Sequence, residues 1–168
     1  MAGVMAKIVN IIAIYISVTE LVLQSVDACP NGWMEYREKC YHFSHDTEPW
    51  ELAQMVCKDM RSHLVEIETA MENNFLTQEV VRRGGDFWIG ASDLFIENER
   101  LWSTSQQGIS YANWAPNEPT NGGGNPVHGA GNENCAEIRA FDSKWNDDQC
   151  HVNDNYICEK DVDEAIVG

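Results

Sequence analysis

The residues best equipped for chemistry gather in the second half of the chain. Asp93 and Glu97 precede a stretch rich in Gly and Pro, Glu118 lies within it, Glu133-Asn134 closes it, and Asn146-Asp147-Asp148 follows Trp145. Carboxylates and amide carbonyls are hard oxygen donors, and calcium takes about six to eight of them. A calcium ion is the chemistry these residue types offer, and it would order the irregular backbone around itself. The spacing is not that of an EF-hand. The same acids and asparagines also serve as turn residues, bonding to nearby amides. Glu118 and Glu133 can be drawn as paired glycosidase carboxylates. Metal-bound, ionised acids are poor proton donors, however, and no Ser/His/Asp or Cys/His arrangement is visible. The chain reads as a binding protein, not an enzyme. Its five histidines are scattered and no cysteines form a CxxC pair, so zinc has no ligand spacing to use.

These residues need a frame, and the chain of 168 residues has room for one globular domain plus a short segment. With 43% hydrophobic residues and six Trp it can fill a core. Eleven Lys and Arg stand against twenty-seven Asp and Glu, a formal charge of −16. A nucleic-acid binder needs a basic face, which this balance does not favour; cations are the more natural partners. Surplus acid also serves simply to keep a secreted protein soluble. Ile8 to Val18 is nearly all apolar and follows a lone Lys7, the pattern of a secretory signal. It is shorter than the roughly 20 residues a spanning helix needs, and no second apolar run follows, so no membrane span is expected. The expected organisation is a signal peptide over 1–28, a single domain over 29–160 and an acidic tail over 161–168.

Secretion turns six cysteines into a disulfide framework. Spacing alone leaves many pairings open; local and terminal positions suggest Cys29 with Cys40, Cys135 with Cys150, and Cys57 with Cys158. In the chain-entropy model the last, closing about 100 residues, contributes ~4–5 kcal/mol. Tyr36 to Phe43 reads as a hairpin. After Thr47-Glu48-Pro49, a hydroxyl cap and early proline, Trp50, Ala53, Cys57 and Met60 recur at helical spacing. Thr69-Ala70-Met71-Glu72 reads as a capping box opening a second helix that stops at Gly84-Gly85, with Met71, Phe75 and Leu76 on its buried side. Phe87 to Gly90, Leu101-Trp102, Ala136 to Ile138 and Tyr156 to Cys158 read as short strands, which makes the class α+β. The breaker-rich stretch between Trp114 and Cys135 is a long loop of the kind that is usually functional or disordered. Trp88, Trp102 and Trp145 are expected in the core; Trp114 stands at the loop entrance.

Read in order, these residues resemble the C-type lectin-like domain family from Cys29 to about Lys160. Trp88-Ile89-Gly90 is similar to the family's central-strand signature, Trp145-Asn146-Asp147 to its WND calcium motif, and the cysteines to its long form with an extra N-terminal disulfide. Trp88 to Leu94 resembles perlucin-type secreted lectins of molluscs. The resemblance implies a C-type lectin-like fold: two helices flanking small antiparallel sheets, a long calcium-dependent loop and three disulfides. It also implies a calcium ion held by Glu118, Thr120, Glu133, Asn146 and Asp147, with Pro119 in the cis form. Neighbouring sugar hydroxyls would bind the ion and the same side chains, Asn121 among them. A second, auxiliary metal set would be Asp93, Glu97, Asn121 and Asn134. Thr120 departs from the family's Glu-Pro-Asn tripeptide: a hydroxyl offers one neutral oxygen but lacks the amide that donates to a sugar.

The leading expectation is a secreted, calcium-dependent lectin acting in innate immune or other glycan recognition. The acid at Glu118 leans toward terminal mannose-type sugars over galactose-type ones. The alternative is a shell or extracellular-matrix protein, or a protein-interaction module, on the same fold without sugar binding. Nucleic acid is not an expected partner, and the oligomeric state is left open.

Overall fold

The computed structural model describes residues 29–96, 98–121 and 132–162. The expected signal peptide, Glu97, the glycine-rich segment from 122 to 131 and the tail from 163 onward lie outside the described residues. Two short strands open the domain, β1 (Met34–Tyr36) and β2 (Lys39–Phe43), paired antiparallel with Met34 opposite Tyr41. Helix α1 (Trp50–Asp59) follows and buries Trp50, Ala53 and Cys57, the i, i+3, i+7 stripe of an amphipathic helix. Pro49 stands at its N-cap and no side chain caps it, so the Thr47 hydroxyl does not take the capping role read from the sequence. The entry is fixed instead by backbone bonds to distant chain: Trp50 N donates to Cys150 O and Glu48 N to Asp154 O, each at 2.9 Å.

After β3 (His63–Leu64), helix α2 (Ala70–Arg83) starts as its capping box predicts. Thr69 Oγ1 accepts from Glu72 N at 3.2 Å, while the Glu72 carboxylate reaches back to Glu68 N at 3.0 Å. Leu76 is buried and Phe75 packs against the core. Met71, expected inside, is exposed, because the first turn overhangs the β1–β2 hairpin: Arg37 Nη2 lies 3.0 Å from its sulfur and Tyr36 Oη donates to its carbonyl.

The remaining strands are β4 (Phe87–Ser92), β5 (Leu101–Trp102), β6 (Cys135–Ile138), β7 (Trp145–Asp148) and β8 (Asn155–Asp161). They run β1-β2-β8-β4-β6-β7, with β3 on β8 and β5 on β4. The small antiparallel sheets are joined through β4 and β8, which pair in parallel. All six residues of β4 are buried. A Cβ at Gly90 would lie 2.8 Å from Leu64 O, so only glycine permits this close approach. Trp88, Trp102 and Trp145 are core residues, as expected. Their buried polar edges are met where the structure shows them: Trp88 Nε1 donates to Glu48 O and Trp145 Nε1 to Asn73 Oδ1. The three disulfides pair as Cys29–Cys40, Cys57–Cys158 and Cys135–Cys150. Among the described residues no helix is long and apolar enough to cross a membrane.

An acid-rich chain must neutralise the carboxylates it buries. Glu159 on β8, 1% exposed, receives Lys39 Nζ at 3.0 Å, His63 Nε2 at 3.1 Å and the Glu66 amide at 2.9 Å. Burial alone would push Glu159 up, but His63, Lys39 and that amide together hold it below the usual carboxylate range. Burial would lower His63, yet Glu159 holds it above the ordinary imidazole value. The depressed acid contributes stability that is lost as pH falls through its folded value. The raised imidazole contributes stability that is lost as pH rises through its own. Glu159→Gln is therefore expected to cost about 3 kcal/mol in mildly acid solution, measured by urea unfolding, and less on either side. A difference from wild type that is flat with pH would contradict this.

Candidate functional site

Two asparagines in left-handed backbone bracket the turn that carries Glu118: Asn117 at φ 73° and Asn121 at φ 52°. Asparagine enters that region at lower cost than most side chains. Between them the Glu118-Pro119 peptide is cis. Just upstream, Trp145 N donates to Asn113 O and Ala115 N to Trp145 O, so residues 113–115 run beside β7. Along β7 the side chains alternate, as a strand requires: Trp145 and Asp147 are buried, Asn146 and Asp148 are not. The loop and the strand meet at Asp147.

The Asp147 carboxylate is 1% exposed. Oδ1 accepts from Thr120 N at 3.1 Å, and Oδ2 accepts from Asn121 N at 2.9 Å and Arg100 Nη2 at 2.7 Å. The other guanidinium nitrogen lies 3.3 Å from Asp93 Oδ2. Arg100 Nη2 also approaches Glu133 O, and its Cζ lies 5.5 Å from the centre of the Trp114 ring. Trp114 in turn packs edge-on against Trp145, so the ring at the loop entrance props this constellation and is not a free platform. Asn121 Oδ1 accepts from Glu133 N, and Asp93 N donates to Asn134 O.

The structure thus brings Asp93, Thr120, Asn121, Glu133, Asn134 and Asp147 into one connected network. The Asn146 side chain turns instead to Glu137 and Arg139: its amide donates to Glu137 Oε1 at 3.0 Å and its oxygen accepts from Arg139 Nη1 at 3.4 Å. Three buried side-chain oxygens of the region have no hydrogen-bond partner: Glu118 Oε2, Asp93 Oδ1 and Asn134 Oδ1. An unmet buried acceptor is costly. Two of the three are carboxylate oxygens, the groups a hard cation satisfies best, so the donor set fits an oxygen-bound cation.

Two features gave no signal in the sequence. Arg100 makes contacts 33 and 47 residues along the chain, and nothing local marks it. Glu137, Asp148 and Asp154 converge with ligand atoms within 4.8 Å of one another, the one such trio of His, Cys or acid side chains among the described residues. Burial pushes Glu137 well above the usual carboxylate range, against the pull of its Asn146 bond. Burial also raises Asp154, with Asp86 and Asp148 adding repulsion. Glu137, pushed up to about 9, is the member of the trio that keeps its proton at neutral pH.

Arg100→Met should leave Asp93 and Asp147 without their shared cation. The expected cost is about 3 kcal/mol in chelator, read by thermal or urea unfolding, with part of it recovered when calcium is added. A loss that calcium leaves untouched would contradict the reading of these oxygens as cation ligands.

The model of the Lectin C-type domain matches residues 46–160. Perlucin of Haliotis laevigata is 37% identical over 137 residues, covering 79% of this chain and 83% of perlucin. The low affinity immunoglobulin epsilon Fc receptor of Mus musculus is 35% identical over 133 residues; these cover 79% of this chain but only 37% of the receptor. Among solved structures, the cow C-type carbohydrate-recognition domain of CD23, crystallised in the presence of GlcNAc2Man3 oligosaccharide, superimposes with a TM-score of 0.71 at 32% identity. That match covers 82% of this chain and 99% of the CD23 domain.

Proposed function

Because the chain belongs to the C-type lectin domain family, a family of carbohydrate-binding domains and not of enzymes, we propose that it is a secreted lectin whose sugar binding depends on calcium. Glu118, Thr120, Glu133, Asn146 and Asp147 are the calcium ligands in this reading, and the same residues with Asn121 contact the sugar. One observation carries it: Glu118 Oε2 is buried without a partner beside the cis Pro119, in the turn whose next two amides, Thr120 N and Asn121 N, donate to Asp147. The ion supplies a Lewis-acidic centre for two neighbouring sugar hydroxyls. The carboxylates accept from those hydroxyls and asparagine amides donate to them. An acid at Glu118 favours terminal mannose-type sugars over galactose-type ones, and the oligosaccharide present with the CD23 domain supports the same direction. Three disulfides suit an oxidising, extracellular compartment.

The auxiliary set of Asp93, Glu97, Asn121 and Asn134 carries less charge to offer a second ion. Arg100 already compensates Asp93, and Glu97 lies outside the described residues. A second calcium is accordingly the weaker of the two.

A glycan array bearing mannose- and galactose-terminated ligands tests the function directly. Binding is expected with calcium and lost with chelator, and Glu118→Gln, still folded, is expected to lose it too. Thr120→Asn restores an amide and should strengthen mannoside binding about fivefold, the worth of roughly one net hydrogen bond. No calcium-dependent binding by the folded protein would overturn the lectin reading in favour of a matrix or protein-interaction role.

A further inference from the structure

In a chain this acidic, a cation should have no trouble finding a carboxylate. Of the ten described Lys and Arg, Lys39, Arg82, Arg83, Arg100 and Arg139 are in ion pairs, and Lys144 bonds Asn113. Lys58 and Arg61 form no ion pair among the described residues. They line two adjoining depressions that share Ser62, His63 and Thr104. Lys58 stands in the larger, about 430 Å³. Arg61 stands in the smaller, about 360 Å³, together with Lys160, which lies over the Trp33 ring. His63, held above its ordinary pKa by Glu159, belongs to both. Among the described residues Asp161 is the one acid lining either depression.

We propose that this groove, at the C-terminal end of α1 and the edge formed by β3 and β8, is a calcium-independent subsite for the sulfate or carboxylate groups of an anionic polysaccharide. The backbone supports the assignment. Arg61 sits at φ 55° just past the helix end, a left-handed position that glycine fills at least cost, and a guanidinium stands there instead. The lining also supplies hydroxyls that a hydroxyl-rich ligand can use, including Ser103, whose Oγ is buried without a partner. Binding of a single-stranded nucleic acid would call for aromatic faces to stack its bases. Apart from the His63 imidazole, no aromatic ring among the described residues lines either depression. None of the lining residues belongs to the set assigned to calcium, so this site and the lectin site can fail separately.

The test measures binding of fluorescent dextran sulfate, a polyuronate and neutral dextran of equal length to the secreted protein in excess chelator. Dextran sulfate or the polyuronate is expected to bind and neutral dextran is not, with the arms showing which anionic group is preferred. Binding should weaken as salt shortens the screening length. Arg61→Glu and Lys160→Glu should each weaken it on the order of tenfold, whereas Arg82→Glu, an equal change of net charge on the exposed face of α2, should not. If a charge reversal disturbs folding, Arg61→Gln and Lys160→Gln take its place with a smaller loss. No binding of either polyanion by the folded protein in chelator would overturn the proposal. So would equal losses in Arg61→Glu and Arg82→Glu.

Discussion

The Asp147 carboxylate is the point on which the rest of the site depends. Buried at the inward face of β7, it accepts two amides from the Glu118 turn and a guanidinium nitrogen from Arg100. Burying an ionised acid is tolerable only when its lone pairs are met and its charge compensated. Those three donors compensate it within the protein, and a calcium ion ligated by Asp147 would share the carboxylate with them. Because Arg100 also reaches Asp93 and Glu133 O, one carboxylate fixes the relation between the end of β4, the loop around 118–121, the approach to β6, and β7. The turn is therefore held in place by contacts within the protein itself.

The same problem is solved differently elsewhere in the molecule. Glu159 is surrounded by Lys39, His63 and an amide and stays ionised. Glu72 accepts Tyr41 Oη at 2.7 Å with Lys39 nearby. Glu137, packed beside Asp148 and Asp154 with no ion pair among the described residues, is driven by burial toward its neutral form. Around the Glu118 turn the compensation is incomplete, with Glu118 Oε2 and Asp93 Oδ1 left unmet. That incompleteness is what the proposed cation site rests on.

Local patterns in the sequence carried the elements well. Helical spacing at Trp50, Ala53 and Cys57, the capping box at Thr69 and Glu72, and turn residues around short apolar runs each act within a few residues, and the structure has those helices and strands. Where the outcome depended on distant chain, the sequence was silent or misleading. Thr47 is a good capping residue, but bonds from Cys150 and Asp154 fix that helix entry. Met71 fits the apolar stripe of α2, but the hairpin beneath its first turn leaves it outside. Strand β7 was legible only as a motif, since Trp-Asn-Asp-Asp has no strand-like composition and is held extended by pairing with β6. Arg100 illustrates the limit best: its role exists only because three remote oxygens converge on it.

The most direct test of this account is a crystal structure of the calcium-loaded protein with a mannoside. The account predicts one well-occupied ion with Glu118 and Asp147 oxygens at about 2.3–2.6 Å, and two sugar hydroxyls completing its shell. An ion held instead by Glu137, Asp148 and Asp154, or a Glu118 carboxylate turned away from any ion, would contradict it.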